Sequence, residues 1–268
     1  MNIKQEKYIK IIYSILCKLY QIFSTLLENI FFRKSTSSNP IKNLGYFKYE
    51  NSDIDLNYLK EIESQKINNY LYVKPLSTKQ IKKIIKIVFD FKFREYITSL
   101  TGFEYSIDYM IFYDRKYIPE KDRNVPTLKR AYSYAWHFDK PNSSNMLKII
   151  IPLNISKTNG PLKVIDRFSS RSNKLYSPVI ENKKTGVFTG FGNKIYGFNP
   201  TLCIHKDGIP KGKNIASQIM FQLNPYYKWS INKNISKRKS QFRNKIKIWN
   251  AEPKFPLIAY FNDERISF

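Results

Sequence analysis

The chain of 268 residues contains two histidines, and both lie where one metal ion could use them. His137 and Asp139 form an H-x-D pair, and His205 follows later in the chain. Residues two apart in a strand project to the same face, so His137 and Asp139 can reach one ion. Two imidazoles and one carboxylate in this order are typical of the facial triad that holds non-heme Fe(II). We therefore predict a metal site at His137, Asp139 and His205.

The H-x-D pair is too short a pattern to carry that prediction alone, because most isolated instances are surface pairs. Its surroundings add support. Residues 147–154 form a short apolar run that predicts a strand directly after the pair. Residues 158–165 combine an Asn-Gly-Pro turn signal with a second extended run. After His205, a polar turn at 208–214 precedes one long predicted strand at 215–225.

In order and spacing, these pieces resemble the phytanoyl-CoA hydroxylase-like family of Fe(II)- and 2-oxoglutarate-dependent dioxygenases, over residues 130–225. The resemblance implies a mainly β fold with flanking helices, a double-stranded β-helix (a cupin-like jelly roll). It also implies Fe(II) as cofactor, 2-oxoglutarate as cosubstrate, and His137, Asp139 and His205 as iron ligands. Family members couple oxidation of 2-oxoglutarate to oxidation of a second substrate, most often hydroxylation of a C–H bond.

The chain departs from this family after the second histidine. An arginine usually follows that histidine by about ten residues and binds the far carboxylate of 2-oxoglutarate through its planar fork. Residues 211–216 contain no arginine. We predict Lys213 as the substitute, with Asn214 and Gln218 assisting by hydrogen bonds. A solvated turn lysine and a different cosubstrate remain alternatives.

The family resemblance also bears on the reaction. Halogenating relatives lack the carboxylate of the triad, and this chain retains Asp139, which favours oxygenation. We expect no catalytic side chain beyond the metal ligands. The predicted enzyme is thus a hydroxylase acting on an unidentified anionic small metabolite or a lipid or sugar conjugate. The resemblance does not choose among these substrates.

Composition limits the domain count and the cellular setting. A mass of 31.9 kDa with 42% hydrophobic residues suits one elaborated domain. Its two cysteines, Cys17 and Cys203, are too few for a disulfide framework, so a reducing cytoplasm is the simpler setting.

The chain is strongly basic, with 46 Lys and Arg against 21 Asp and Glu, a formal net charge of +25. Such a field attracts nucleic acid, anionic membranes or anionic substrates, although part of the excess fits a general compositional bias. The densest basic run spans residues 228–247. A basic non-catalytic jelly-roll binding or scaffold protein and a nucleic-acid-modifying oxygenase are the alternative functions. No nucleic-acid-binding module is recognisable, which argues against a nucleic-acid partner.

The remaining organisation follows from hydrophobic periodicity. Residues 1–34 predict an amphipathic helix, 35–45 a linker, 46–230 the dioxygenase domain with N-terminal bracing helices, and 231–268 a basic C-terminal extension. The charged flanks of the first helix argue against a membrane span. We expect its apolar stripe to pack on the domain's own core or on a second subunit; peripheral contact with a membrane is the alternative. The oligomeric state stays open.

Within the central domain, three shorter patterns allow local predictions. Residues 77–90 predict a basic helix with a Ser or Thr cap, 109–113 a buried strand, and 132–136 an extended segment leading into the H-x-D pair.

Overall fold

The computed structural model describes residues 3–34, 41, 44–50, 54, 56, 59, 61–125, 133–139, 143–172, 185–233, 235 and 264–268. The helices are α1 (Ile3–Phe31), α2 (Thr78–Val88), α3 (Phe91–Thr101) and α4 (Arg167–Ser172). The strands are β1 (Tyr46–Glu50), β2 (Gln65–Lys66), β3 (Leu71–Val73), β4 (Glu104–Arg115), β5 (Leu147–Pro152), β6 (Leu162–Ile165), β7 (Thr185–Phe188), β8 (Lys194–Phe198), β9 (His205–Lys206), β10 (Ala216–Tyr226), β11 (Ser230–Asn232) and β12 (Arg265–Ser267).

These strands form two sheets. The larger has the order β1-β8-β5-β10-β4-β11-β12, with β3 also pairing with β4 and β2 with β3. The smaller has the order β7-β6-β9, and a bridge between His137 and His205 adds the H-x-D segment beside β9. From β4 to β10 the chain passes repeatedly between the sheets, and its pairings there are antiparallel. This is the predicted mainly β jelly roll, which the structure confirms.

Side-chain alternation along the strands builds two apolar layers. On β5, Ile149 and Ile151 join the cluster that packs under α2 and α3. Ile150, between them, joins the cluster that fills the space between the two sheets. Since successive strand residues face opposite sides, Lys148 lies on the same inward side as Ile150. This alternation is how a lysine enters the interior of the barrel.

Helices α2 and α3 cover the outer face of the large sheet. Ser77 caps α2 through a reciprocal capping box with Gln80, and the helix buries its apolar face, namely Ile81, Ile84, Ile85 and Val88. Asp90 caps α3, and Gly102, with a φ of 76°, ends it in the left-handed conformation that favours glycine. The predicted helix at 77–90 is therefore confirmed as α2, with its end at Val88.

The predicted strands at 109–113, 147–154, 158–165 and 215–225 correspond to β4, β5, β6 and β10. The extended segment predicted at 132–136 is different, because residues 133–136 belong to no strand and residue 132 lies outside the described residues. Ser133 has a φ of 54°, a left-handed conformation that interrupts an extended chain. Regular pairing begins only at the bridge of His137.

Helix α1 contacts the domain through its polar side. The backbone N–H of Ser144 donates to the Thr25 hydroxyl (2.8 Å), and Asn145 donates to the Glu28 carboxylate (3.2 Å). The apolar stripe points outward and is exposed. The expectation that it packs on the domain's own core is therefore wrong for this structure, because α2 and α3 cover the core and α1 meets the domain through polar contacts of Thr25 and Glu28. Within the part of the chain that the structure describes, no helix combines the length and apolarity that crossing a membrane requires.

The end of the chain returns to the large sheet. Strand β12 pairs with β11, and Arg265 donates from Nε to the Ser106 hydroxyl (2.9 Å). Strand β12, with Arg265, belongs to the predicted extension 231–268 and forms an edge of the large sheet. Most of the basic run at 228–247 and of the predicted linker at 35–45 lies outside the described residues.

Candidate metal centre

Two neighbouring segments of the small sheet carry the three predicted metal ligands. The backbones of His137 and His205 exchange two N–H···O hydrogen bonds, each of 3.0 Å. Two residues after His137, the N–H of Asp139 donates to the carbonyl of Pro200 (3.0 Å), which fixes the backbone of Asp139. Because His137 and Asp139 alternate with Phe138, both side chains project to one side. The sheet thus presents all three side chains to a common point.

The ligand atoms lie close together. His137 Nε2 is 3.5 Å and His205 Nε2 is 3.6 Å from Asp139 Oδ1. Each of the three residues offers one ligand atom, and these three atoms lie within 4.8 Å of one another. His205 is buried, whereas the side chain of His137 is 32% exposed. The site therefore has one wall inside the barrel and one side open to solvent.

Backbone carbonyls orient both imidazole rings. His137 Nδ1 lies 2.8 Å from the carbonyl oxygen of Ala135, and His205 Nδ1 lies 3.0 Å from that of Cys203. A carbonyl oxygen only accepts, so Nδ1 carries the proton on each ring and the Nε2 lone pair faces Asp139. Hydrogen bonding of the outer nitrogen is typical of histidines that bind metal through the inner one.

Burial and the neighbouring carboxylate set the ionisation of the rings. Burial lowers the pKa of His205 and, although Asp139 opposes it, the net shift is downward, which favours the neutral form that binds metal. Burial also lowers the pKa of His137, but the Asp139 carboxylate, which can accept a hydrogen bond from Nε2 once the ring is protonated, outweighs it and the net shift is upward.

A buried lysine completes the surroundings of the triad. Lys148 Nζ lies 2.5 Å from Asp139 Oδ2, and the two side chains form an ion pair. Burial alone would raise the pKa of the Asp139 carboxyl, but Lys148 and the two imidazoles together hold it well below its usual range. Asp139 is therefore ionised and presents Oδ1 to the histidines while Oδ2 faces Lys148.

This donor set fits a divalent transition metal. Two neutral imidazole nitrogens and one carboxylate oxygen suit non-heme Fe(II), and similar sets also bind Zn²⁺. Three protein ligands on one side leave further coordination positions for other molecules. His137, Asp139 and His205 are the residues that would hold such an ion.

A second buried polar cluster surrounds Arg115 at the end of β4. Its guanidinium pairs with Asp207 (3.2 Å) and donates to Gln218 Oε1 (2.8 Å) and to the carbonyls of Gly160 (3.0 Å) and Gly208 (2.9 Å). Arg115 is not among the residues that the sequence predicts to form a site. A charged residue at the end of a long apolar strand was the available signal.

The three residues predicted to bind the cosubstrate separate in the structure. Lys213 and Asn214 are exposed in the turn before β10. Gln218 is fully buried and belongs to the cluster around Arg115. The structure therefore does not bring Lys213 and Asn214 together with Gln218.

No family model and no curated protein sequence matches this chain. Several solved structures can be superposed on part of this chain. The non-heme alpha-ketoglutarate-dependent epimerase SnoN from nogalamycin biosynthesis has a TM-score of 0.48 at 12% identity, covering 69% of this chain and 80% of that one. A 2OG-Fe(II) oxygenase family oxidoreductase from Burkholderia pseudomallei has a TM-score of 0.48 at 10% identity, with coverages of 70% and 88%. HygX from Streptomyces hygroscopicus, whose structure holds nickel and 2-oxoglutarate, has a TM-score of 0.45 at 10% identity, with coverages of 70% and 85%. Similarities this low transfer no activity, so the functional argument rests on the site itself.

Proposed function

We propose that this chain is an Fe(II)- and 2-oxoglutarate-dependent dioxygenase that hydroxylates a C–H bond of an anionic small metabolite or a lipid or sugar conjugate. One observation carries the proposal: His137, Asp139 and His205 converge on one point in a jelly roll, with both Nε2 lone pairs directed there. When bound, iron and cosubstrate supply the oxidising chemistry that no side chain can supply. The protein supplies the ligands, their orientation and a partly enclosed site.

The charges around the site favour a dianionic cosubstrate. Asp139 and Lys148 form a pair with no net charge, and the two imidazoles are neutral when they bind metal. Adding a divalent cation leaves a net charge of about +2 in a largely buried space, which is costly unless an anion accompanies it. 2-Oxoglutarate carries two carboxylates, so its binding with the metal restores neutrality. This balance supports 2-oxoglutarate over a neutral cosubstrate.

Lys148 is the cation best placed to receive a carboxylate of the cosubstrate. It is buried on the inward side of β5, next to the triad, whereas Lys213 is exposed in a turn. Once Asp139 binds a metal ion, its negative charge is shared with that ion. Contact with a second anion would then stabilise the ammonium of Lys148. An ammonium binds a carboxylate as a point charge and needs no fixed fork geometry. We therefore propose that Lys148, and not Lys213, contacts the carboxylate of the cosubstrate.

The other predicted contacts also change in this proposal. Gln218 is buried, accepts from Arg115 and donates to the hydroxyl of Tyr113, so its amide is already engaged within the cluster around Arg115. The ring of Phe198, 4.9 Å from that of His205, shields the buried imidazole from water. Asn214, exposed in its turn, takes no part in this arrangement.

Anaerobic titration of the protein with Fe(II) and 2-oxoglutarate tests the proposal. A chelated Fe(II)–2-oxoglutarate complex should give a weak charge-transfer band in the visible range. His205→Ala should lose the band while keeping the thermal unfolding transition of a folded protein. The band in the wild type would justify screening anionic substrates by succinate release.

Two other outcomes would change the conclusion. Iron binding without the band would point to a different cosubstrate. Absence of iron binding would favour a basic jelly-roll binding protein without oxygenase activity.

A further inference from the structure

Helix α1 displays a continuous apolar stripe on the outside of the molecule. Nine large apolar side chains form this stripe, and each is 54–69% exposed. They are Ile12, Ile15, Leu16, Leu19, Ile22, Phe23, Leu26, Ile30 and Phe31. Their spacing of three and four residues puts most of them on one side of the helix. Single exposed apolar residues are ordinary, but a contiguous stripe of this size marks an interaction surface.

The orientation of α1 is fixed by specific contacts on its opposite side. Cys17, Ser24 and Glu28 are buried against the domain. Gln21 donates to the hydroxyl of Ser144 (3.4 Å), next to the bonds that Thr25 and Glu28 make. Turning the apolar stripe inward would break these polar contacts. It would also leave the polar groups of Ser144 and Asn145 buried under apolar side chains without hydrogen-bond partners. The outward direction of the stripe is therefore built into the fold.

Among the described side chains of α1 and of the two residues after Phe32, the exposed charges are of one sign. Lys18, Arg33 and Lys34 are exposed on α1 and directly after it. Among the described side chains of α1, Glu28 is the acidic one, and its carboxylate is buried against Asn145. The exposed side of the helix is thus apolar and cationic, on a chain whose net charge is +25. An anionic surface is attracted to it, whereas a second copy with the same charge is repelled.

We infer that α1 is a membrane-docking helix that lies in the interface of an anionic lipid bilayer, with its apolar stripe among the acyl chains. Helices of this kind combine a large apolar face with basic residues and lie flat rather than cross the bilayer. With 29 residues, α1 is about 44 Å long and can lie along the surface. The inference rests on the exposure and charge of α1 and does not depend on the proposed oxygenase activity.

Vesicle flotation with the full chain tests this inference. The wild type should float with vesicles of phosphatidylcholine containing about 30% phosphatidylglycerol and much less with pure phosphatidylcholine. Leu19→Glu/Phe23→Glu should reduce partitioning at least about tenfold, because it places two charges in the apolar stripe. Both residues are more than half exposed, so the variant should fold. Phe168→Glu/Phe191→Glu is the matched control, since it changes two exposed aromatics elsewhere by the same charge.

The size of the protein in solution, measured by light scattering, separates the membrane from a second copy of the chain. A monomeric wild type that floats, with the α1 variant lost from the vesicles and the control variant retained, supports the inference. A wild-type dimer that becomes monomeric in the α1 variant, without vesicle binding, overturns it. Equal loss in both double variants also overturns it, because net charge alone would then explain the binding.

Discussion

Lys148 is the residue on which the electrostatics of the proposed site depend. It is a buried lysine whose ammonium lies 2.5 Å from a carboxylate that is also a predicted metal ligand. A lysine in an apolar interior keeps its charge only when an anion accompanies it. Asp139 serves in this structure, and in the proposed complex a carboxylate of the cosubstrate shares that role.

Replacement of Lys148 by methionine separates cosubstrate binding from metal binding. Methionine keeps most of the volume but removes the cation, so Lys148→Met should bind Fe(II) at least as tightly as the wild type. Its affinity for 2-oxoglutarate should fall at least about tenfold, because a charge-assisted contact is worth about 1.5–3 kcal/mol. Anaerobic calorimetry with each ligand in turn measures both quantities.

Lys213→Met is the matched control, because Lys213 is an exposed lysine in the turn before β10. It should leave both affinities unchanged. If Lys213→Met weakened 2-oxoglutarate binding and Lys148→Met did not, the prediction made from the sequence would replace the one made from the structure.

The difference between these two lysines shows what local sequence could specify in the site. The H-x-D pair sets its own geometry, since residues two apart in a strand share a face. The direction of Lys148 depends on the register of β5, in which it lies opposite Phe198 of β8 and Gln222 of β10. That register is set by distant pairing, so the sequence could place Lys148 on a strand but not inside the barrel.

At the scale of elements, Arg115 joins one strand to two turns. From the end of β4 it donates to the carbonyl of Gly160, in the turn before β6, and to that of Gly208, in the turn after β9. Gly208 fits there only without a side chain, because a Cβ would lie 2.7 Å from the backbone of Gly160. The turn that follows His205, a predicted metal ligand, is thereby fixed against the large sheet.

Arg115→Met should strongly destabilise the fold. It leaves Asp207 buried without its ion-pair partner, a loss of about 3–5 kcal/mol in the free energy of unfolding. The double variant Arg115→Met/Asp207→Asn should lose less, because no buried charge is left uncompensated. Urea unfolding followed by circular dichroism measures these differences.

Arg123→Met is the comparison for this series. Arg123 pairs with Glu120 at 3.5 Å, and the Glu120 side chain is 86% exposed, so the loss should be within about 1 kcal/mol. Equal losses in Arg115→Met and Arg123→Met would show that the buried pair has no special weight in holding the turns.

The elements themselves differ in how well the sequence predicted them. Strand β10 and helix α2 have long, regular apolar patterns, and both are where the sequence predicts them. The segment before His137 also alternates, but its backbone turns at Ser133, and the N–H of Asp207 donates to the Ser133 carbonyl (2.9 Å). A contact between residues so far apart in sequence is not encoded in local periodicity.

For the molecule as a whole, the least predictable feature was the direction of α1. Periodicity identified the apolar stripe correctly but could not say what covers it. The direction in which the stripe faces depends on Ser144 and Asn145, which follow the H-x-D pair and bind the polar side of the helix. An amphipathic pattern specifies two faces, and the tertiary contacts decide which of them meets the domain.

The net charge of +25 leads to a prediction about nucleic acid. Binding that comes from charge alone releases counterions and weakens steeply with salt. The affinity for a DNA duplex of about 20 base pairs should fall at least about 100-fold between about 50 and 200 mM salt, and it should be the same for unrelated sequences. Fluorescence anisotropy with two labelled duplexes measures both. Sequence-dependent or salt-resistant binding would instead support a nucleic-acid-modifying oxygenase, because base contacts persist when phosphate contacts are screened.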